Sequence, residues 1–238
     1  MRAIGRGADR VSFGAMQPLA LLGETTTPDG TTLSLTRRGP EFIILANGKP
    51  LMSNRMHGSE EALATFGCAR VVRSAAPVVL VGGLGMGYTL RATLDVLSAD
   101  ATVVVAELVP AVVEWNRGAL ADLARRPLED PRVRVEVGDV GQALRASHGR
   151  FDAILLDVDN GPAAFTSTTN VGLYTDGGLA AAKRALRPGG VLAVWSAWDD
   201  RKFEQRLKYA GFRGAVEHVR ARLKRGGPRH TIFLGYTD

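Results

Sequence analysis

Apolar and polar residues follow two different patterns along the chain, which divide it into an N-terminal and a larger C-terminal part. Between Thr31 and Arg55, two short alternating or apolar runs are broken by Gly39-Pro40 and by Asn47-Gly48, a pattern typical of a small β-hairpin region. The sequence HGSEEALATFGCA that follows predicts a short helix with Ser59 as its N-cap. We assign this hairpin region and its helix to residues 1–70.

From residue 71 onward the pattern changes to strands that alternate with helices. Strands that are apolar on nearly every residue must be covered on both faces, which indicates a parallel sheet between helical layers. Apolar runs predict strands at Val78–Val81, Thr102–Ala106, Val133–Val137, Ala153–Leu156 and Val191–Trp195, followed by an antiparallel pair near Ala215–Leu223 and His230–Tyr236. Helices are predicted around Tyr88–Leu97, Ala111–Arg125, Val140–Ala146, Leu179–Leu186 and Phe203–Ala210. We therefore expect residues 71–238 to form a doubly wound α/β domain around a mostly parallel, seven-stranded sheet.

Composition narrows the class of protein. The 238 residues are 45% hydrophobic and 23% charged, as in soluble globular proteins, and no apolar run approaches the roughly 20 residues that span a bilayer. We expect a cytoplasmic protein without a membrane partner. The single cysteine, Cys68, excludes an internal disulfide and is expected to be a buried thiol. The formal charge of +6 is concentrated in His218–His230, where basic and apolar residues alternate as in a strand with one solvated face, so nucleic acid is an unlikely partner.

The most informative segment is the glycine-rich turn between the first predicted strand of the α/β domain and its helix. Glycines at such a turn allow backbone amides to approach a ligand at the positive end of the helix. They are Gly82, Gly83, Gly85 and Gly87. Glu107 and Asp139 follow the next two strands, so both carboxylates and the turn face one crevice, which indicates an adenosine-bearing cofactor.

Two cofactor classes fit this arrangement. A nicotinamide dinucleotide uses a similar turn and acid, but it usually requires GxGxxG spacing, whereas this turn has the spacing GxGxG. The C-terminal helix and strand pair resemble the class I methyltransferase fold. We therefore favour an adenosyl-sulfonium cofactor, either S-adenosylmethionine or its decarboxylated form, and we predict no metal.

Within that fold, the chain resembles the spermidine synthase, or polyamine aminopropyltransferase, family. The resemblance rests on VLVGGLGMG, VVVAELVPAVVEWNR, DPRVRVEVGDVGQAL and FDAILLDVDNGPAA. It implies that Glu107 holds the ribose, that Asp139 holds the adenine amino group and that Asp157 lies beside the nucleophile of a small-molecule acceptor. It also implies a homodimer. A carboxylate such as Asp157 can orient an amine and take its proton, and Asp159 is a second acid for a cationic acceptor.

The sequence also departs from the family pattern. Gly85 stands where the family carries an aspartate that binds the amine of decarboxylated S-adenosylmethionine, and His57 is the candidate for the histidine of a Tyr-His pair that the chain lacks. Because a glycine accommodates the methionine carboxylate better than an aspartate does, we favour methyl transfer to a small amine or hydroxyl compound. Aminopropyl transfer is the alternative, and a non-catalytic module that binds an adenosine ligand is a further one. A nucleic-acid methyltransferase is disfavoured because DVDNGP lacks the Asn/Asp-Pro-Pro-aromatic tetrapeptide of that class.

Overall fold

The N-terminal part forms an antiparallel sheet of four strands. The computed structural model describes residues 18–158, 161–162, 171–222 and 226–238. The strands pair in chain order and comprise β1 (Ala20–Thr26), β2 (Thr32–Arg38), β3 (Glu41–Ala46) and β4 (Lys49–Ser53). The turns of the β2–β3 and β3–β4 hairpins fall at Gly39 and at Asn47-Gly48, which have positive φ angles, as the turn dipeptides predict. The predicted hairpin region lacked β1, whose mostly exposed side chains give no apolar alternation.

The C-terminal part is built on a sheet of seven strands, as predicted. The strands are β5 (Val78–Gly82), β6 (Thr102–Glu107), β7 (Val133–Val137), β8 (Phe151–Leu156), β9 (Leu186–Ser196), β10 (Arg213–Arg220) and β11 (Arg229–Tyr236). Their order is β10-β11-β9-β8-β5-β6-β7. Strands β5 to β9 are parallel where they pair, and β11 is antiparallel to both β9 and β10. The carboxyl ends of the five parallel strands therefore lie along one edge.

Helices cover both faces of this sheet, and they comprise α1 (Gly58–Cys68), α2 (Tyr88–Val96), α3 (Pro110–Arg117), α4 (Val140–Arg145), α5 (Asp176–Ala185) and α6 (Arg201–Tyr209). Alternate strand residues point to opposite faces. Val79 and Val81 pack in a hydrophobic cluster with α1, α2, α3 and strands β2 and β3, whereas Leu80 packs in a second cluster with α4, α5 and α6. Within the described ranges, no helix is long and apolar enough to cross a membrane.

Several local predictions are confirmed and others are wrong. Cys68 is buried, and burial raises the pKa of its thiol to about 12. The predicted helix Ala111–Arg125 is interrupted, because α3 ends at Arg117 and a separate 3-10 turn covers Ala121–Ala124. Ser59 is not an N-cap: α1 begins at Gly58, whose amide donates to the Ala221 carbonyl. The Ser59 side chain is fully buried inside the first turn of the helix.

The close contact between α1 and the sheet depends on Gly67. A Cβ at this position would lie 2.2 Å from Cδ2 of Leu155 and 3.0 Å from Cβ of Ala193. We predict that Gly67→Ala lowers the free energy of unfolding by about 1–3 kcal/mol in urea titrations, because overpacking outweighs the better helix propensity of alanine.

Gly177→Ala is the matched control. This residue also lies in a helix, α5, and the nearest atom to an added Cβ is Oγ1 of Thr175 at 3.9 Å. We expect the control to be neutral or slightly stabilising. Equal stability of the two variants would contradict the tight packing of α1 on the sheet.

Candidate active site

The glycine-rich turn joins β5 to α2 and lies against the carboxyl end of β8. Gly83 has φ of +90°, and a Cβ there would lie 2.3 Å from the carbonyl oxygen of Asp157. The turn is held by backbone bonds from the Gly83 amide to Ala106 and from the Asp157 amide to Gly82. Glycine is therefore required at position 83 by the neighbouring strand itself, independently of any ligand.

Position 85 faces the N-terminal sheet. Gly85 has φ of +52°, and a Cβ there would meet Cε of Met52 in β4 at 2.9 Å. The Gly85 carbonyl accepts a hydrogen bond from Nδ2 of Asn116, and Oδ1 of the same Asn116 is buried without a partner among the described residues. The side chain nearest to position 85 is thus the apolar Met52 and not an acid.

Glu107 ends β6 and is 7% exposed. Its carboxylate accepts hydrogen bonds from the backbone amides of Leu84, at 2.8 Å, and Val109, also at 2.8 Å. Burial raises the pKa of Glu107, and these amides oppose that effect. Because each carboxylate oxygen has a second lone pair, the side chain can still accept hydrogen bonds from two hydroxyl groups of a ligand at this edge.

Asp139 follows β7 and is the N-cap of α4. Its Oδ1 accepts a 2.7 Å hydrogen bond from the Gly141 amide, and its Oδ2 lies 3.3 Å from Nη2 of Arg145. The Gly138 amide donates to the Glu107 carbonyl, so this strand end is fixed next to that of Glu107. Asp139 thus has a structural role as a cap in addition to its predicted contact with adenine.

Asp157 follows β8 and is partly buried. Its carboxylate accepts a hydrogen bond from the hydroxyl of Thr89 in α2. Burial raises the pKa of Asp157, and the hydrogen bond from Thr89 opposes this effect. The second predicted acid, Asp159, lies outside the described residues.

A second acid, which the sequence analysis missed, faces Asp157 from α1. Glu60 is 9% exposed, and its pKa is raised by burial and by the negative charge of Asp157, with a smaller contribution from Glu61. None of the ion pairs between described residues includes Glu60 or Asp157. We call these two residues the acid pair; their repulsion is not neutralised by a cationic side chain of the described chain.

The hydroxyl of Ser59 connects Glu60 to the far end of the sheet. Its Oγ lies 2.9 Å from Oε2 of Glu60 and 2.8 Å from Nδ1 of His230 in β11. The half-buried ring of His230 packs edge-on against Trp195, with ring centroids 4.7 Å apart. The buried Nε1 of Trp195 has no hydrogen-bond partner within the part of the chain that the structure describes. Burial lowers the pKa of His230, which favours the neutral imidazole.

His57, the sequence candidate for the missing histidine, lies at the start of α1. Its ring stacks on Tyr88 at 4.0 Å between centroids, and its Nδ1 lies 2.7 Å from Oε1 of Glu61. These residues line a cavity of about 360 Å³ together with Arg91 and Asp95. His57 therefore contacts Tyr88 and Glu61 and lines this cavity. It makes no hydrogen bond to the Asp157 carboxylate among the described residues.

The structure thus brings the predicted glycines, Glu107, Asp139 and Asp157 to one edge of the sheet and adds Glu60 to them. The burial of Glu60 could have been predicted from the helical periodicity of α1. Positions 60, 63, 64 and 67 share the buried face of this helix. Burying a glutamate on such a helical face costs free energy unless the carboxyl group is neutralised by a proton or paired with a cation.

Comparisons with known proteins identify the family of the chain. The model of the spermine/spermidine synthase domain matches residues 56–205. A polyamine aminopropyltransferase of Mycobacterium tuberculosis is 33% identical over 165 residues, which are 67% of this chain and 30% of that protein. A polyamine aminopropyltransferase of Nitrosomonas europaea is 39% identical over 118 residues, which are 48% of this chain and 34% of that protein. The chain therefore aligns with about a third of the length of these relatives.

Solved structures show the same fold. A spermidine synthase from Thermotoga maritima superimposes with a TM-score of 0.72 at 17% identity, over 92% of this chain and 73% of that one. A spermidine synthase in complex with the transition-state analogue AdoDATO superimposes with a TM-score of 0.71 at 16% identity, over 92% of this chain and 72% of that one. The seven-stranded sheet is therefore that of spermidine synthases, with a class I methyltransferase-like topology.

The raised pKa of Glu60 generates a prediction about stability. The folded protein retains a proton on Glu60 that the unfolded chain releases near the ordinary pKa of 4.5, so stability falls as the pH rises from that value through the raised pKa. We predict that Glu60→Gln removes this loss. The variant should exceed the wild type in free energy of unfolding at pH 8 by more than about 1.4 kcal/mol, the equivalent of one pKa unit.

Urea titrations between pH 4 and pH 9 measure the difference, which should shrink towards pH 4 because both side chains are then neutral. Glu114→Gln is the control, because Glu114 is exposed and paired with Arg117 on the surface of α3. A Glu60→Gln variant whose free energy of unfolding parallels that of the wild type at every pH would show that folding does not raise the pKa of Glu60.

Proposed function

Since the chain belongs to the spermine/spermidine synthase family, we propose that it transfers an aminopropyl group from decarboxylated S-adenosylmethionine to a small amine. The matched residues 56–205 include Glu60, the glycine-rich turn, Glu107, Asp139 and Asp157. The names of the aligned relatives, polyamine aminopropyltransferases, support aminopropyl transfer. They favour the alternative of the sequence analysis over methyl transfer, its main interpretation.

The acid pair is the observation that carries this proposal. S-adenosylmethionine and its decarboxylated form differ by a carboxylate on the carbon that bears the amine. Two carboxyl groups without a cation repel a ligand carboxylate and attract an ammonium group, most strongly where water is excluded. The argument for methyl transfer considered position 85 alone. Glu60 can supply the negative charge that is missing there, and so it favours the decarboxylated donor.

The other residues have complementary roles in donor binding. The Glu107 carboxylate would accept hydrogen bonds from the two ribose hydroxyls, and the Asp139 carboxylate would accept one from the adenine amino group. The turn at Gly83 and Gly85 would pack its backbone against the methylene chain and the sulfur. Together these contacts would fix the sulfonium relative to Asp157. The backbone of Asp157 packs directly against Gly83, since a Cβ at position 83 would lie 2.3 Å from the Asp157 carbonyl oxygen.

The transfer itself is a displacement at carbon. The neutral acceptor amine attacks the methylene carbon bonded to the positive sulfur; a carbon–nitrogen bond forms, the carbon–sulfur bond breaks, and its electron pair stays on a neutral thioether. The new secondary ammonium loses a proton to the Asp157 carboxylate. The residues contribute by holding nitrogen, carbon and sulfur in line and by accepting this proton.

A substitution of the proposed base tests the assignment. We expect Asp157→Asn to lower kcat by about 10²–10⁴-fold, the range for loss of a general base, and also to weaken donor binding, because the donor ammonium loses one of the two carboxyl groups of the acid pair. Mass spectrometry of reactions with decarboxylated S-adenosylmethionine and 1,4-diaminobutane measures the aminopropylated product and the thioether. A methylated product formed from S-adenosylmethionine would instead support methyl transfer. Donor binding without any product in the wild-type protein would support a binding module.

A rescue experiment tests whether Glu60 replaces the acid missing at position 85. We expect Glu60→Gln to weaken binding of the decarboxylated donor by at least about tenfold, or 1.4 kcal/mol, because an ammonium loses its counter-charge. Adding Gly85→Asp should restore part of that affinity. Aspartate tolerates a positive φ better than most residues, and its Cβ would meet only the flexible end of Met52.

Gly85→Ala is the matched control in the same Glu60→Gln background, since it adds a Cβ without a charge. Equal affinities of the aspartate and alanine double variants would contradict the idea that a carboxylate near the donor amine determines binding.

A further inference from the structure

We propose that Ser59 and His230 are positioning residues that fix the ionised Glu60 carboxylate beside the donor ammonium and thereby set the preference for decarboxylated S-adenosylmethionine. The inference rests on the proposed aminopropyl transfer and names two residues that determine its donor specificity. Neither residue needs to touch the donor, because both act through Glu60.

A chain of two hydrogen bonds leads from His230 to Glu60. The Ser59 hydroxyl donates to Oε2 of Glu60 at 2.9 Å, and its Oγ lies 2.8 Å from Nδ1 of His230. Both distances are those of good hydrogen bonds. A hydroxyl has one hydrogen, so an Oγ that donates to Glu60 must accept its second bond from the N–H of the imidazole. The chain is therefore directed from the imidazole to the carboxylate.

This direction suits the charged form of Glu60. An ionised carboxylate only accepts hydrogen bonds, and a bond to a charged group is roughly twice as strong as one between neutral groups. Ser59 provides the side-chain hydrogen bond to the Glu60 carboxylate within the described ranges. It opposes burial and the charge of Asp157, both of which raise the pKa of Glu60. The hydroxyl thus stabilises the form of Glu60 that an ammonium ligand requires.

The antiparallel end of the sheet anchors this chain of hydrogen bonds. The Gly58 amide donates to the carbonyl of Ala221, which follows β10, at 2.9 Å. The adjacent Ser59 is fully buried and is bonded to His230 of β11, whose ring packs edge-on against Trp195. The first turn of α1, which carries Glu60, is therefore held in place by strands 171 positions away in the chain.

The partners of Ser59 distinguish this role from helix capping. A serine that served only to begin a helix would use its hydroxyl on the amides of its own first turn, whereas Ser59 uses it on a carboxylate and an imidazole. Placing these polar side chains out of water costs free energy that apolar side chains would avoid. The arrangement therefore favours a role in the site over a role in stability alone.

The position of the Glu60 carboxylate affects the two donors differently. S-adenosylmethionine carries an ammonium and a carboxylate on the same carbon, so a fixed carboxylate of the protein attracts one group and repels the other. The decarboxylated donor experiences the attraction alone. Loss of the hydrogen bonds that fix Glu60 should therefore weaken binding of the decarboxylated donor and change that of S-adenosylmethionine little.

Calorimetric titration with each donor tests this specificity. We expect Ser59→Ala and His230→Leu to weaken binding of decarboxylated S-adenosylmethionine on the order of tenfold and to change the affinity for S-adenosylmethionine by less than about threefold. The ratio of the two affinities should fall accordingly. In turnover assays with 1,4-diaminobutane, the loss should appear in KM for the donor and not in kcat.

His230→Asn is the matched variant, because the amide nitrogen of asparagine replaces Nδ1 of the imidazole and can donate to Ser59, whereas leucine has a similar shape and no donor. We expect His230→Asn to retain the wild-type preference. Ser147→Ala is the control for loss of a buried serine hydroxyl, since that of Ser147 donates to the Ala143 carbonyl in α4. This control should leave both affinities unchanged.

The tautomer of His230 provides a readout that needs no donor. At pH 9, above the pKa of about 8 for Glu60, the carboxylate is ionised and Ser59 donates to it, so the neutral ring must carry its proton on Nδ1. Long-range ¹H–¹⁵N spectra of the wild-type protein report the tautomer. The chain has four histidines, and His230→Asn identifies the signal of residue 230. We expect the Nδ1–H form, and the Nε2–H form would overturn the positioning role.

The outcomes separate this inference from the proposed function. Unchanged affinities in Ser59→Ala and His230→Leu, or an equal loss for both donors, overturn the positioning role and leave aminopropyl transfer standing. A wild-type protein that yields no aminopropylated compound overturns the proposed function, while the tautomer still decides whether the chain is directed at Glu60. If His230→Leu fails to fold, Ser59→Ala and the wild-type spectrum decide the question.

Discussion

The repulsion between the carboxyl groups of Glu60 and Asp157 is the constraint on which the rest of the site depends. Both groups are largely removed from water, and neither forms an ion pair within the described residues. Such an arrangement raises the free energy of the folded protein at neutral pH unless a proton or a cation occupies it. The fold keeps this pair in place because α1 is held against β8 and β9, with Gly67 at the closest point.

The neighbouring polar groups stabilise the acid pair or hold other carboxylates beside it. Thr89 stabilises the ionised form of Asp157, whereas Ser59 connects Glu60 to His230. Glu107 and Asp139 are held by backbone amides and ends of adjacent strands, so they present carboxylate oxygens at fixed positions along the same edge. A ligand with an adenosine at one end and an ammonium at the other would match this order of groups, since Asp139, Glu107 and Asp157 follow β7, β6 and β8 along one edge and Glu60 is contributed by α1.

Much of the fold could be predicted from the sequence because hydrophobic periodicity reports burial directly. The continuous apolar strands predicted the parallel sheet, and the glycine-rich turn with Glu107, Asp139 and Asp157 predicted the edge at which the site lies. The exposed strand β1 has no such pattern and could not be predicted, whereas α3 ends at its C-cap, Gly118, a helix-ending residue that the predicted helix Ala111–Arg125 disregarded.

The chemistry of the site was harder to predict because it depends on contacts between distant segments. Glu60 was not among the predicted site residues, although its spacing from Leu63 and Gly67 placed it on the buried face of α1. The partnership of Ser59 with His230 joins residues 171 positions apart, and no local pattern indicates it. Attention to position 85 alone therefore favoured methyl transfer, whereas the acid pair and the family favour aminopropyl transfer.

The most direct test of the acid pair as an ammonium site is isothermal titration calorimetry of the wild-type protein with decarboxylated S-adenosylmethionine and with S-adenosylmethionine, each in buffers of different ionisation enthalpy. The decarboxylated donor should bind at least about tenfold more tightly, and its binding should release protons because an ammonium replaces the proton of the acid pair. Equal or tighter binding of the carboxylated donor, without proton release for either ligand, would contradict the assignment of this site to a cationic amine.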